Sequence, residues 1–228
     1  MAMTFETMKA YLKFQFGNRT DLESVDSTDL YGVWINMAYK NLTTRNRFWA
    51  VKKSFKFPEL IVTDVSQSTT DGTAYVSVPT DAIAVYNVQD TTNDRDLDYI
   101  KINKYFAYTD RSNTDAEGEP NEYSRSDEYI YLHPTPDDTY ALEILYRKRP
   151  AVLSGTATTV IGDEWDDAIL ALACFIGFSW THEYEKAKER KDEFIGLVSG
   201  LIGIYDTEEK TSGETLHANP SGKDYGFS

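Results

Sequence analysis

Residues 162–184 read GDEWDDAILALACFIGFSWTHEY. Trp165, Ile169, Leu172, Ile176, Trp180 and Tyr184 recur there at steps of three and four, the spacing of one buried helix face. Asp163, Glu164, Asp166 and Asp167 crowd the first turn, where the helix dipole favours negative charge. After the charged run from Glu183 to Glu193, the residues Phe194, Val198, Leu201 and Tyr205 resume the same spacing. About forty residues of one period exceed an ordinary globular helix, so the pattern predicts either one long helix or two stacked ones. Gly196, Gly200 and Gly203 each weaken the second half by up to about 1 kcal/mol relative to alanine, or else admit close helix approach.

Working outward, Thr4 to Phe16 places Phe5, Met8, Leu12 and Phe16 on one helix face, with Thr4 as N-cap and Gly17-Asn18 as the stop. A second helix fits Ser27 to about Leu42, capped by Ser27 or Thr28, with Leu30, Trp34, Met37 and Ala38 facing inward. From Glu59 the period shortens. Leu60–Val62, Ala74–Val78 and Ile83–Val88 are short β-rich runs broken by Thr70-Asp71-Gly72 and Pro79-Thr80-Asp81, and Leu97–Ile102 reads as a further strand. Tyr129–Leu132 and Tyr140–Tyr146 read as a hairpin across His133-Pro134-Thr135-Pro136-Asp137-Asp138, and the polar stretch Thr109–Asp127 as an exposed loop.

This order predicts an α+β fold. It places an N-terminal helix pair in residues 1–57 and a long C-terminal helix or helix pair in residues 154–206. A β-rich domain (58–153) is inserted between them. Residues 207–228 keep no helical or strand period and are expected to form a flexible arm, because so polar a segment buries too little apolar surface to order itself.

Composition narrows the function. With 228 residues, 41% of them hydrophobic, the chain is long enough for a sizeable core. No apolar run reaches the length of a transmembrane helix, and the N-terminus lacks the basic and apolar blocks of a signal peptide. The lone cysteine, Cys174, excludes an internal disulfide and fits a reducing cytoplasm. A net charge of -14 argues against broad binding to a phosphate backbone.

A search for chemistry finds little. Nucleotide-binding glycine loops and nucleophile elbows are absent. His182-Glu183-Tyr184-Glu185-Lys186 starts like a zinc-protease motif but carries Lys186 where the second histidine belongs, so His182 is expected at a solvated helix position. Cys174, between Ala173 and Phe175, reads as a buried structural thiol. The acid pairs Asp166-Asp167 and Asp137-Asp138 read as a helix start and a turn. No catalytic residue, cofactor or metal ligand is assigned. The contrary feature is Lys40–Phe57, which has Lys40, Arg45, Arg47, Lys52, Lys53 and Lys56 without an acid, interleaved with Phe48, Trp49, Phe55 and Phe57. Such a segment can hold a single strand by stacking. We read it instead as aromatics entering the core and cations facing water or a neighbouring subunit, with Arg45, Arg47, Lys52 and Lys53 as the candidate nucleic-acid or inter-subunit contacts.

The order and spacing of six pieces carry a resemblance. They are Trp34–Tyr39, Gly72–Pro79, Gly118–Tyr123, Tyr131–Asp138, Tyr146–Leu153 and Trp165–Ile169. In that order the chain resembles the head-to-tail adaptor (head-completion or connector) proteins of tailed bacteriophages. Val78-Pro79 departs from the Leu-Pro commoner there. The resemblance implies that the helices pack as one bundle around which the β-rich domain is inserted, in a non-enzymatic virion protein at the head–tail junction, assembled in the host cytoplasm as a ring of twelve copies; the alternatives are another tail or neck structural protein, or a nucleic-acid-binding accessory protein using Lys40–Phe57. Its partners would be the portal protein and a tail or further neck protein, with DNA passing through the channel without specific binding and no membrane involved. It further implies a C-terminal segment that docks on the portal, for which Tyr205, Leu216, Tyr225 and Phe227 are the candidate contacts.

Overall fold

The structure, a computed structural model, describes residues 2–23, 28–44, 57–111 and 117–216, with side chains in the last helix followed through Gly203. The chain divides into two compact units, one of residues 1–56 and 152–228, the other of residues 57–151.

The first unit is helical. Helix α1 (Phe5–Gln15) starts where the Thr7 amide donates to Thr4 Oγ1 at 3.2 Å, and it buries Phe5, Met8 and Leu12. Gly17 and Asn18, both at positive φ, end it. Helix α2 spans Leu30–Thr44, and Ser27, one of the two expected caps, lies outside the described residues. In its first turn the Gly32 amide donates to Asp29 Oδ1 at 3.3 Å. Its buried face runs through Tyr31, Trp34, Ile35, Ala38, Tyr39 and Leu42, and Met37, expected inward, is 44% exposed. The buried stripe therefore lies to one side of the face that was expected, because Ile35 rather than Met37 takes the inner position.

The long periodic segment is two helices. A 3-10 turn (Asp163–Trp165) leads into α4 (Asp166–Trp180), and α5 (Tyr184–Leu216) follows a break at which His182 adopts a φ of 61°. Trp165, Ile169, Leu172, Phe194 and Val198 are buried as the spacing predicts. Trp180 and Tyr184 are not, at 62% and 64% exposed, because they flank the break, where the helical phase is interrupted. The backbone of α5 continues through residues 207–216, which show no helical period in the sequence.

Phe16 stacks on Phe178 at 4.2 Å between ring centroids and lies 5.2 Å from Trp34, which meets Tyr31 edge-on at 5.7 Å. Gly177 makes room for this knot, since a Cβ there would stand 2.6 Å from Phe16 Cζ and 2.7 Å from Trp34. Polar groups on α2 fasten the returning chain. Asn36 exchanges two hydrogen bonds with the Leu153 backbone, and the Val160 amide donates to Tyr39 Oη.

The second unit is two four-stranded sheets around one core. The strands are β1 (Ile61–Ser68), β2 (Tyr75–Ser77), β3 (Ala82–Asp90), β4 (Arg95–Asp96), β5 (Asp98–Tyr99), β6 (Glu122–Ser126), β7 (Tyr129–His133) and β8 (Ala141–Lys148). One sheet has the order β1-β8-β3-β4, the other β2-β7-β6-β5. Val76, Val78, Val88, Leu97, Tyr123, Ile130, Leu132, Leu142, Ile144 and Tyr146 form the core.

Three expectations are corrected here. The strands read as one hairpin, β7 and β8, belong to different sheets. β8 pairs along its length with β1 and β3, whereas β7 pairs with β2 and β6, and the turn-rich connector carries the chain from one sheet to the other. Leu97–Ile102 is not one strand. Its two-residue β5 is followed by a helix, α3 (Ile102–Arg111). The stretch read as an exposed loop contains the end of α3 and β6, where Tyr123 and Ser124 are buried.

Candidate functional site

The expected docking residues fall at the edge of what is described. α5 carries the backbone of Tyr205 and Leu216, but their side chains, like all of Tyr225 and Phe227, lie outside the described residues. Arg45, Arg47, Lys52 and Lys53 lie outside them too. Of the basic segment's two described ends, Lys40 is exposed on α2, and Phe57 is 2% exposed, a core aromatic.

The groups that could carry chemistry occupy structural positions. His182 sits at the α4–α5 break rather than within a helix, with Nδ1 2.8 Å from Tyr184 Oη, and Lys186 pairs with Glu183 at 2.6 Å. Burial pushes the Cys174 thiol up to about 11, far from the reactive thiolate range. Asp166 is almost fully buried at the start of α4. Its carboxylate accepts the Met3 amide at 2.7 Å and the Thr159 hydroxyl at 3.1 Å, and burial holds its pKa above the usual carboxylate range. This buried acid ties the N-terminal segment to the chain leading into α4. Asp137 accepts a hydrogen bond from Tyr140 Oη within the connector between β7 and β8. Among the described residues no group of three or more His, Cys, Asp or Glu side chains could hold a metal, and no helix is long and apolar enough to cross a membrane.

What the surface does offer is an aromatic face on the β2-β7-β6-β5 sheet. Alternation along β2 and β7 sends Val76, Ile130 and Leu132 into the core and Tyr75, Tyr129 and Tyr131 to the other side. Tyr75 meets Tyr129 at 4.8 Å and Tyr131 at 6.2 Å. Tyr131 in turn lies 5.2 Å from Tyr105 and 5.9 Å from Phe106, both on α3. Phe106 is 50% exposed, and Tyr75 and Tyr129 are also open to solvent. Sequence reading missed this face because it treated the tyrosines of the strands as undifferentiated β-formers. The Tyr-x-Tyr step at 129 and 131, beside core positions at 130 and 132, was the available signal.

A second surface lies on α5. Glu189, Asp192, Gly196, Gly200 and Gly203 recur along one exposed line, opposite the buried Phe194, Val198 and Ile202. A Cβ built on Gly196 or Gly200 would meet nothing within 4 Å.

Among curated proteins none matches this chain. The family model described as SU10 adaptor protein matches residues 3–215.

Proposed function

Because the chain belongs to the SU10 adaptor protein family, a family of bacteriophage structural adaptors, we propose that it is a ring-forming head-to-tail adaptor that docks on the portal, joins head to tail and surrounds the DNA channel. The observation that carries this reading is the family match, which runs through both units and into α5. The architecture suits such a role. Buried polar groups pin the helical unit, and a two-sheet unit presents side chains on rigid strands rather than on loops. The chemistry-bearing residues are tied up in structural contacts, in keeping with a protein that assembles rather than catalyses. The net charge of -14 favours a channel wall that lets DNA pass without holding it.

In this reading the C-terminal end, from Tyr205 through Leu216 to Tyr225 and Phe227, is the portal-docking element. Arg45, Arg47, Lys52 and Lys53 face neighbouring subunits. The test is complementation. Purified chain is added to heads that bear a portal but lack the adaptor, and tail joining is scored. Restored joining supports the proposal. Failure to bind such heads, together with tight and salt-steep binding to DNA in a mobility-shift titration, would favour a nucleic-acid accessory protein working through Lys40–Phe57.

A further inference from the structure

We infer that the tyrosine cluster on β2 and β7 is a cation-binding surface, and that its occupant is the basic run Arg45–Lys56 of a second copy of this chain. The inference rests on the ring reading above, in which that run faces neighbouring subunits, and assigns the surface that receives it.

Alternation along the two strands puts Tyr75, Tyr129 and Tyr131 on the side of the sheet away from the core. Their ring centroids stand 4.8, 6.2 and 6.3 Å apart, and the rings are tilted by 60–68° to one another. They form a three-sided cluster rather than a stack. Tyr75 is 46% and Tyr129 37% exposed, so the cluster is open to a ligand. Tyrosine faces attract a guanidinium or an ammonium held within about 6 Å of the ring centroid, and clustered rings recur where proteins hold organic cations.

The charges around the cluster favour the same ligand. Asp127 and Glu128 are exposed on the turn between β6 and β7, directly before Tyr129. That turn is fixed beside β2, since the Val78 amide donates to the Glu128 carbonyl at 2.8 Å. On the α3 side, Lys104 pairs with Glu122 at 3.4 Å, Asp98 stands across from Glu122 in the sheet, and Lys101 is exposed just before the helix. Arg125 lies on the core side of β6 and donates to the Ile83 carbonyl at 3.2 Å, away from the cluster. Four carboxylates thus stand against two ammonium groups, with the excess at the Tyr129 end.

The chain supplies a ligand of this kind. Arg45–Lys56 reads RNRFWAVKKSFK, five cations and no carboxylate, in a protein whose net charge is -14. Arginine stacks on a tyrosine face and also pairs with a carboxylate, while lysine supplies a point charge for the acidic turn. A phosphate backbone, by contrast, is repelled by those carboxylates. Twelve residues extend to at most roughly 40 Å, enough to cross to a neighbour. Cluster and run are complementary to each other, and neither is complementary to itself. Such a contact between copies is heterologous, and its repetition closes into a ring when the rotation allows.

The experiment uses the full chain loaded on portal-bearing heads. Isotopically heavy and light copies are mixed and treated with a water-soluble carbodiimide, which joins a carboxylate to an amine only where the two touch. The expected adduct joins the peptide carrying Asp127 and Glu128 of one copy to the peptide carrying Lys52 and Lys53 of another. Alongside it, Asp127→Asn with Glu128→Lys removes the acidic edge. Asparagine tolerates the φ of 51° at residue 127, so the melting temperature is expected to stay unchanged. This variant is expected to need roughly tenfold or more protein to load the heads, the scale of a lost interface hot spot. Adding Lys52→Glu and Lys53→Glu to the same chain is expected to restore loading, which a merely structural effect of either pair would not do. An adduct confined to single copies, an adduct elsewhere on a second copy, or no adduct on loaded heads overturns the inference and leaves the ring reading standing. Unchanged loading by the first variant, or failure of the rescue, does the same. So does a Lys52→Glu, Lys53→Glu variant that loads normally but loses DNA binding in a mobility-shift titration, the result expected if the run holds nucleic acid. If the unaltered chain never loads the heads, both fall.

Discussion

Trp165 opens α4 with its side chain fully buried, among the largest in the core, where the sequence spacing places it. Truncation there removes an indole that the surrounding helices cannot collapse to replace, so Trp165→Ala should cost about 3–5 kcal/mol, read as a large fall in the thermal midpoint. An unchanged midpoint would mean that the first turn of α4 repacks. Gly177 was not singled out by the sequence, since a helical glycine shows no partner until the rings of Phe16 and Trp34 are placed beside it. Gly177→Ala is expected to destabilise by about 1–3 kcal/mol, the range for forcing atoms into a packed core. Gly196→Ala, on the open face of α5, should stabilise the isolated chain by up to about 1 kcal/mol. Opposite signs for two Gly→Ala changes on adjacent helices are the diagnostic. Asp166 gives a pH signature. Burial raises its folded-state pKa above the unfolded value, so its contribution to stability is greatest below the unfolded pKa and is lost as pH rises through the folded one. The difference in melting temperature between wild type and Asp166→Asn should therefore move in favour of wild type as pH falls through the acid range. A difference that does not change with pH would show that the carboxylate is not perturbed.

Helices were more legible than strands, for a physical reason. The faces of α1 and of α4 follow from local spacing, and Phe5, Met8, Leu12, Trp165 and Ile169 are buried as that spacing requires. Strand partners are chosen over long sequence distances, and a turn-rich connector such as His133–Asp138 does not reveal which sheet the next strand will join. So β7 and β8 were individually visible while their pairing was not. β6 stayed hidden because its run is short and polar, the two residues that it buries, Tyr123 and Ser124, are adjacent rather than alternating, and the helix before it was itself unexpected. The α4–α5 break was foreseen only as an option, since nothing in Thr181-His182-Glu183 announces a left-handed residue. It makes a local prediction. A β-branched side chain is strongly disfavoured at positive φ, so His182→Val should lower the melting temperature, whereas His182→Gly should not. Equal effects of the two would show that the break is set by packing on either side and not by residue 182.

At the scale of the whole molecule, charge and the C-terminal end bear on how an adaptor could assemble only where it is needed. Identical chains that each carry a net charge of -14 repel one another in free solution, which on the proposed reading would keep them apart until a partner gathers them. Docking on a portal would raise the local concentration of copies, so that a contact too weak for dilute solution becomes the favoured one. On the proposed reading, docking and ring closure would be separable, with the residues after Leu216 as the point of separation. That segment carries two aromatics, Tyr225 and Phe227, among glycine and polar residues. Aromatic side chains are effective anchors for a partner's pockets, and a polar segment around them contributes little to the stability of the isolated chain. Removing residues 217–228 should therefore leave the melting temperature of the isolated protein nearly unchanged and abolish attachment to portal-bearing heads. It should leave the contact between copies intact when those copies are concentrated by other means, for instance by tethering them on one scaffold. If the shortened chain still loads heads and supports tail joining, portal docking belongs to the helical unit itself. If it loads heads but no longer joins tails, the C-terminal segment faces the tail side of the neck instead.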